Sequence, residues 1–205
     1  MPNRFRDLRG AILGDGWQYL GDDDRRTFSS RWVLNYREGV ATTTLPNPSM
    51  ELSLTPLVGE ARTLSEWLTT FHMASVVLDP FTNESSWILE TAVRIMRQFS
   101  GAAVRINFIM TCEAKDARAF LGPYADEFLV FCDPERNAVK TLGLTELPAF
   151  VLIQSNGSIP VAAQGWTSAD WKEVAAKVAV LTSWSKPTIP APGDPGSFRG
   201  TPALV

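Results

Sequence analysis

At 205 residues, with 45% hydrophobic and 20% charged side chains, the chain has the size and composition of one globular domain with extensions, able to bury a sizeable core. A formal net charge of −3 argues against nucleic acid or an anionic membrane as partner, because both need a concentrated basic surface. No apolar stretch approaches the roughly 20 residues that span a bilayer, and two cysteines, Cys112 and Cys132, are too few for a disulfide scaffold.

The first residues, Met1–Gly10, are mixed in charge and lead into no apolar run, so they do not read as a signal peptide, and a cytoplasmic address is expected. Residues 3–13 carry Phe5, Leu8, Ala11 and Ile12 at helical spacing. The run Asp22–Asp24, followed by Arg25 and Arg26, lacks the alternating oxygen ligands of a calcium loop and reads as a solvated turn. Phe28, Trp32, Leu34 and Tyr36 then fall at even positions, the period of a half-buried strand. A turn at Arg37–Gly39 leads to a second extended run ending at Leu45. Met50, Leu52 and Leu54 alternate again, and Leu64–Thr70 reads as a short helix or turn.

Strand and helix alternate through the centre. His72–Leu78 is an apolar, β-branched run suited to a strand buried on both faces. Ser86–Phe99 reads as a helix with Leu89, Ala92, Val93, Met96 and Phe99 on one face, capped by Thr82, Asn83 or Ser85 and stopped by Ser100–Gly101. Expected next are a strand at Ala103–Thr111, a helix at Lys115–Leu121, a strand at Phe128–Phe131 and a short helix at Pro134–Leu142. Phe150–Gln154 and Ile159–Ala163 flank Asn156–Gly157, a hairpin signal, and Ser168–Leu181 is the closing helix. From 185 onward, Pro187, Pro190, Pro192, Pro195 and Pro202 alternate with glycines, and this tail is expected to be extended or disordered.

Three of these stretches together resemble the thioredoxin-like superfamily, on its TlpA-like and peroxiredoxin-like branch. They are the unit from His72 to Phe99, the segment Leu142–Gly157 with Leu147–Pro148, and Gln164–Trp166 before the last helix. The resemblance covers about residues 62–183 and implies an α/β fold with a mixed central sheet flanked by helices. Residues 1–61 would form an N-terminal extension with β segments, 62–184 the thioredoxin-like domain, and 185–205 the tail. It also implies a cis peptide at Leu147–Pro148 facing the helix that follows His72–Leu78. One departure matters. The two cysteine positions of a Cys-x-x-Cys motif fall near Asn83 and Ser86, and no cysteine occurs between His72 and Met110. Dithiol exchange needs one thiolate to attack and another to resolve, so the redox activity of such proteins is not implied here.

The candidate binding residues are therefore Thr82, Asn83, Ser85, Ser86 and Trp87 at the former active-site turn, with Leu147, Pro148 and Trp166 facing it. The leading expectation is a redox-inactive scaffold, chaperone or complex subunit that holds another protein or peptide by strand addition beside the proline. Two alternatives stay open. One is an atypical thiol oxidoreductase using Cys112 and Cys132, each placed after a parallel strand where α/β ligands collect. The other is an anion or small-molecule site at the helix N-terminus, against which the same hydroxyls serve simply as caps. Trp87 and Trp166 are read either as core or as an exposed aromatic pair for partner recognition. His72, the only histidine, has no second ligand or nucleophile at a suitable spacing and reads as structural. No cofactor and no metal are expected, and the oligomeric state is open.

Overall fold

The architecture is that of a computed structural model, which describes residues 45–204. The expected helix at 3–13, the turn at Asp22–Asp24 and the extended runs between Thr27 and Thr44 lie outside the described residues.

The elements follow in chain order as β1 (Ser53–Pro56), β2 (Arg62–Thr63), α1 (Leu64–Trp67), β3 (His72–Leu78), α2 (Asn83–Gln98), β4 (Val104–Met110), α3 (Ala114–Leu121), α4 (Tyr124–Glu127), β5 (Leu129–Cys132), α5 (Asn137–Thr141), β6 (Glu146–Leu147), β7 (Ala149–Ile153), β8 (Val161–Gln164), α6 (Ser168–Thr182) and β9 (Thr201–Pro202). The main sheet runs in the order β2-β1-β5-β4-β3-β7-β8. β3, β4 and β5 are parallel, while β7, β8, β1 and β2 are added antiparallel, so the sheet is mixed. A separate two-stranded sheet joins β6 to β9.

β3 is the centre because its sequence suits both faces. Ala74, Val76 and Leu78 point to one core with Ile88, Ala92, Ile95 and Met96 of α2 and Trp171, Val174 and Val178 of α6. Met73 and Val77 point to the other, with Leu64, Val139, Leu142 and Val151. Each Val, Leu, Ile or Met side chain among these contributes about 1.5–3 kcal/mol on leaving water, which makes a strand covered twice the hardest to displace. The Asn156–Gly157 turn closes the β7–β8 hairpin with Gly157 at φ +81°. That backbone conformation suits glycine.

Two expectations about ends change. α2 starts at Asn83, three residues before the expected Ser86, because Thr82 already occupies the cap position with extended backbone. The tail after 185 is packed and not disordered. Ile189 and Ala203 are buried, β9 forms within it, and Phe198 pairs with Trp166. A segment rich in proline forms few regular elements, yet it docks where a handful of specific contacts hold it.

Candidate functional site

The site lies where β3 ends and α2 begins. The β3–β7 register pairs Val77 with Ala149, which brings Pro148 alongside Leu78 and the turn that follows. The Leu147–Pro148 peptide is cis. The Pro148 carbonyl accepts the Gly165 N–H at 2.8 Å, which ties the proline loop to the end of β8.

Within the turn the hydroxyls are spent on the turn itself. Ser85 is buried, and its Oγ accepts the Asp79 N–H at 3.0 Å. The Thr82 hydroxyl donates to the Asp79 carbonyl at 2.9 Å and lies 3.0 Å from Ser85 Oγ. Thr82 makes no side-chain cap bond to α2, and Ser86 Oγ donates back to the Thr82 carbonyl at 3.4 Å. Asn83 is exposed on the first turn. The Thr82 and Ser85 hydroxyls stabilise the corner, while Asn83 and Ser86 remain exposed at its surface.

Asp79 anchors that corner. Its Oδ1 accepts the Phe81 N–H at 3.0 Å, and its Oδ2 takes the Arg136 guanidinium at 2.7 Å, both side chains largely buried. Arg136, at φ +55° just before α5, donates its other arm to the Ala203 carbonyl at 2.7 Å. The pair was not singled out in the sequence. The available signal was an acidic residue directly after the apolar run Val76-Val77-Leu78 that ends a central strand.

The space between this turn and the proline loop is taken by residues 198–203 of the chain itself. Trp166 and Phe198 exchange both main-chain bonds at 2.9 Å, and β9 then pairs with β6 through Leu147–Thr201 and Glu146–Pro202. The Ala203 N–H donates to the Thr145 carbonyl at 2.9 Å. The Phe198 ring stands edge-on to Trp87, with centroids 5.5 Å apart. Trp87 is still 54% exposed and Phe81, in the turn, 73%. Trp166, by contrast, is buried; its Nε1 donates to the Pro195 carbonyl at 2.9 Å and its ring packs edge-on against Trp171. Trp87 and Trp166 are therefore not an exposed pair. The aromatic partner of Trp87 comes from the tail.

Neither cysteine belongs to the turn. Cys112 is buried beyond β4 and Cys132 half-buried at the end of β5, and both are free thiols. Burial pushes the Cys112 thiol up to about 12, helped by Cys132 once that thiol ionises and by the carboxylates of Asp116, Asp79 and Glu113. Burial also raises Cys132, with Glu113 adding to it and Arg118 opposing it. Against an ordinary value of 9.0, the Cys112 thiolate fraction at neutral pH falls by roughly a thousandfold. In the Cys132→Ser protein, Ellman's reagent at pH 7 is therefore expected to label native Cys112 at least a hundredfold more slowly than the urea-unfolded chain. A native thiol that reacts as fast as the unfolded one would contradict this account. Among the described residues no cluster of three His, Cys, Asp or Glu side chains could hold a metal ion. No helix among them is long and apolar enough to cross a membrane. His72 Nδ1 accepts the Ser155 N–H at 2.9 Å, a bond that fastens the β3 start to the hairpin.

The fold of this chain matches solved structures over most of their length. MTB DsbF is 18% identical, with 68% of this chain and 100% of that one covered and a TM-score of 0.54. A secreted Mycobacterium tuberculosis disulfide oxidoreductase homologous to E. coli DsbE is 18% identical over 64% and 97%, with a TM-score of 0.52. Peroxiredoxin Q of Xanthomonas campestris is 14% identical over 70% and 98%, with a TM-score of 0.54. The fold is thioredoxin-like. No known family profile matches the chain, and no curated protein does. At such identities the likeness is one of fold, and the thioredoxin-like frame here surrounds a turn whose sequence, Asp79–Trp87, holds no thiol.

Proposed function

We propose that this protein works by binding an extended protein segment, as a redox-inactive scaffold, chaperone or complex subunit of the cytoplasm, through the groove between the turn Asp79–Trp87 and the Leu147–Pro148 loop. The observation that carries this reading is the pairing of β6 with β9: the main chain before the proline is already engaged by an extended segment. Strand addition of this kind supplies affinity through backbone bonds and specificity through the side chains that flank them. The consumed hydroxyls of Thr82 and Ser85, and thiols raised away from the thiolate form, support binding over thiol exchange.

Two measurements test it together. In insulin-disulfide reduction and peroxide-consumption assays, wild type and the Cys112→Ser/Cys132→Ser protein are expected to match buffer alone. Turnover that the double variant loses would overturn the proposal. The full-length Gly200→Ala protein, whose own tail can no longer lie flat on β6, is expected to retain a subset of peptides on a random array. Retention of none would equally overturn it.

A further inference from the structure

We infer that the groove recognises a four-residue core of aromatic, basic, glycine and hydroxyl residues in an extended segment of a partner protein, and that Phe198-Arg199-Gly200-Thr201 is the chain's own copy of that ligand. The inference rests on the binding reading above and names what is bound.

Each position meets a different physical demand. The Phe198 ring takes the edge of Trp87 while its N–H and carbonyl both pair with Trp166, so a flat ring is favoured there. Arg199 Nε donates to Glu146 Oε1 at 2.7 Å, but Arg199 is 87% exposed. An exposed pair of this kind shifts affinity by only about two- to fivefold, so it biases choice without commanding it. Gly200 is the strict position. A Cβ there would lie 2.8 Å from Glu146 Cβ and 2.8 Å from the Leu147 carbonyl oxygen. From the other side Gly165, at φ +69°, would drive its own Cβ to 2.8 Å from the Gly200 nitrogen. Two backbones approach here with no room for a side chain between them. The Gly200 N–H also donates to Glu146 Oε2 at 3.2 Å, so one carboxylate serves two successive ligand residues. Thr201 then adds a hydroxyl bond to the Leu147 carbonyl at 3.2 Å.

The tail separates anchoring from reading, and that division is what points to a partner. Its anchor, Asp194, is fixed on α2 by Arg94 and Thr91, away from β6. The reading residues stay near the surface, with Arg199 exposed and Phe198 only half-buried. Between the buried Asp194 carboxylate and the buried Ala203, the segment engages β6 chiefly through its main chain. It presents a main-chain pattern and a charge that a second segment can replace by displacing residues 198–203 while the anchor holds. Attachment gives the tail an effective concentration of about millimolar, which an incoming ligand must overcome.

The test is titration of a labelled peptide matching residues 195–204 against full-length wild type, Gly200→Ala and Asp194→Ala, with hydrogen exchange of the tail amides reporting its release. Both variants are expected to bind at least tenfold more tightly than wild type. A peptide with alanine in place of the glycine should bind at least tenfold more weakly. One with glutamate in place of the arginine should lose about two- to fivefold, a preference that Glu146→Lys reverses. Equal binding of the glycine and alanine peptides would overturn the motif and leave the binding function standing. Failure of every peptide, with the tail released, would remove both. A tail that stays protected in Gly200→Ala would overturn the steric argument. A concentration-dependent Asp194→Ala dimer that excess peptide does not dissolve would assign the groove to a second copy of this chain and overturn the proposal.

Discussion

Replacing Asp194 with alanine is expected to release the tail at a cost of about 3 kcal/mol while the central sheet stays folded. The Asp194 carboxylate is 4% exposed and receives Arg94 at 2.7 and 2.9 Å, the Thr91 hydroxyl at 2.9 Å and the Ala191 N–H at 2.7 Å. Breaking one side of a buried pair typically costs about 3–5 kcal/mol, and Arg94, at 35% exposure, can recover some hydration, which places this case at the lower end. Arg94 also holds the Thr188 carbonyl at 2.7 Å, so its release loosens the approach to the tail as well as the tail itself. Hydrogen exchange should show lost protection across residues 194–203 with β3 and β4 unchanged. Unaltered tail protection would refute the anchor. The pH dependence has a definite sign. Burial is the largest single influence and pushes the carboxyl up, but the bonds from Ala191, Arg94 and Thr91 together hold it below its ordinary value of 3.8. The docked tail therefore prefers the ionised form. Docking is at full strength above pH 3.8 and weakens as pH falls through the lowered value, a loss that Asp194→Asn should not show.

The second large effect is expected at Arg136. Arg136→Met leaves Asp79, only 4% exposed, as a buried charge without its cation, at a cost of about 3–5 kcal/mol in global stability by urea denaturation. It also strips the Ala203 carbonyl of its donor, so tail and turn weaken together. Asp79→Leu/Arg136→Met, which removes both charges, should recover much of that loss, and the difference from the sum of the single variants measures the coupling. Additive single effects would show that the two residues do not act as a pair. The alanine substitution of Trp87, half-exposed at the rim, should by comparison leave global stability within about 0.5 kcal/mol.

Much of the frame could be read locally because each element carries its own periodicity. The β-branched run before Asp79, the apolar face of α2 and the Asn156–Gly157 turn are all signals within a dozen residues. The tail had no such signal. Its prolines pointed to an extended or disordered segment, but what packs it is Asp194 meeting Arg94 a hundred positions away and two residue pairs joining β6 to β9. No window along the chain contains both partners. The same limit applied at the candidate site. The turn residues and the facing proline were legible, whereas the occupancy of the space between them depends on Phe198–Ala203 arriving from afar. Trp166 was ambiguous because a tryptophan serves a core or a rim equally well, and only its bonds to Pro195 and Phe198 settle that it is interior. Thr82 and Ser85 were identified, but their use against Asp79 depends on backbone geometry that residue type does not encode.

The clasp that links α2 to Asp194 closes a loop of about a hundred residues, and β6–β9 closes one of more than fifty. Contacts so distant in sequence repay their closure entropy only after the sheet on which they land has formed. Docking of the tail thus belongs late in folding, and a refolding chain offers an empty groove before its own ligand arrives. In a dilute solution that interval closes within the molecule. In a concentrated one, the first segment to reach β6 can come from a neighbour.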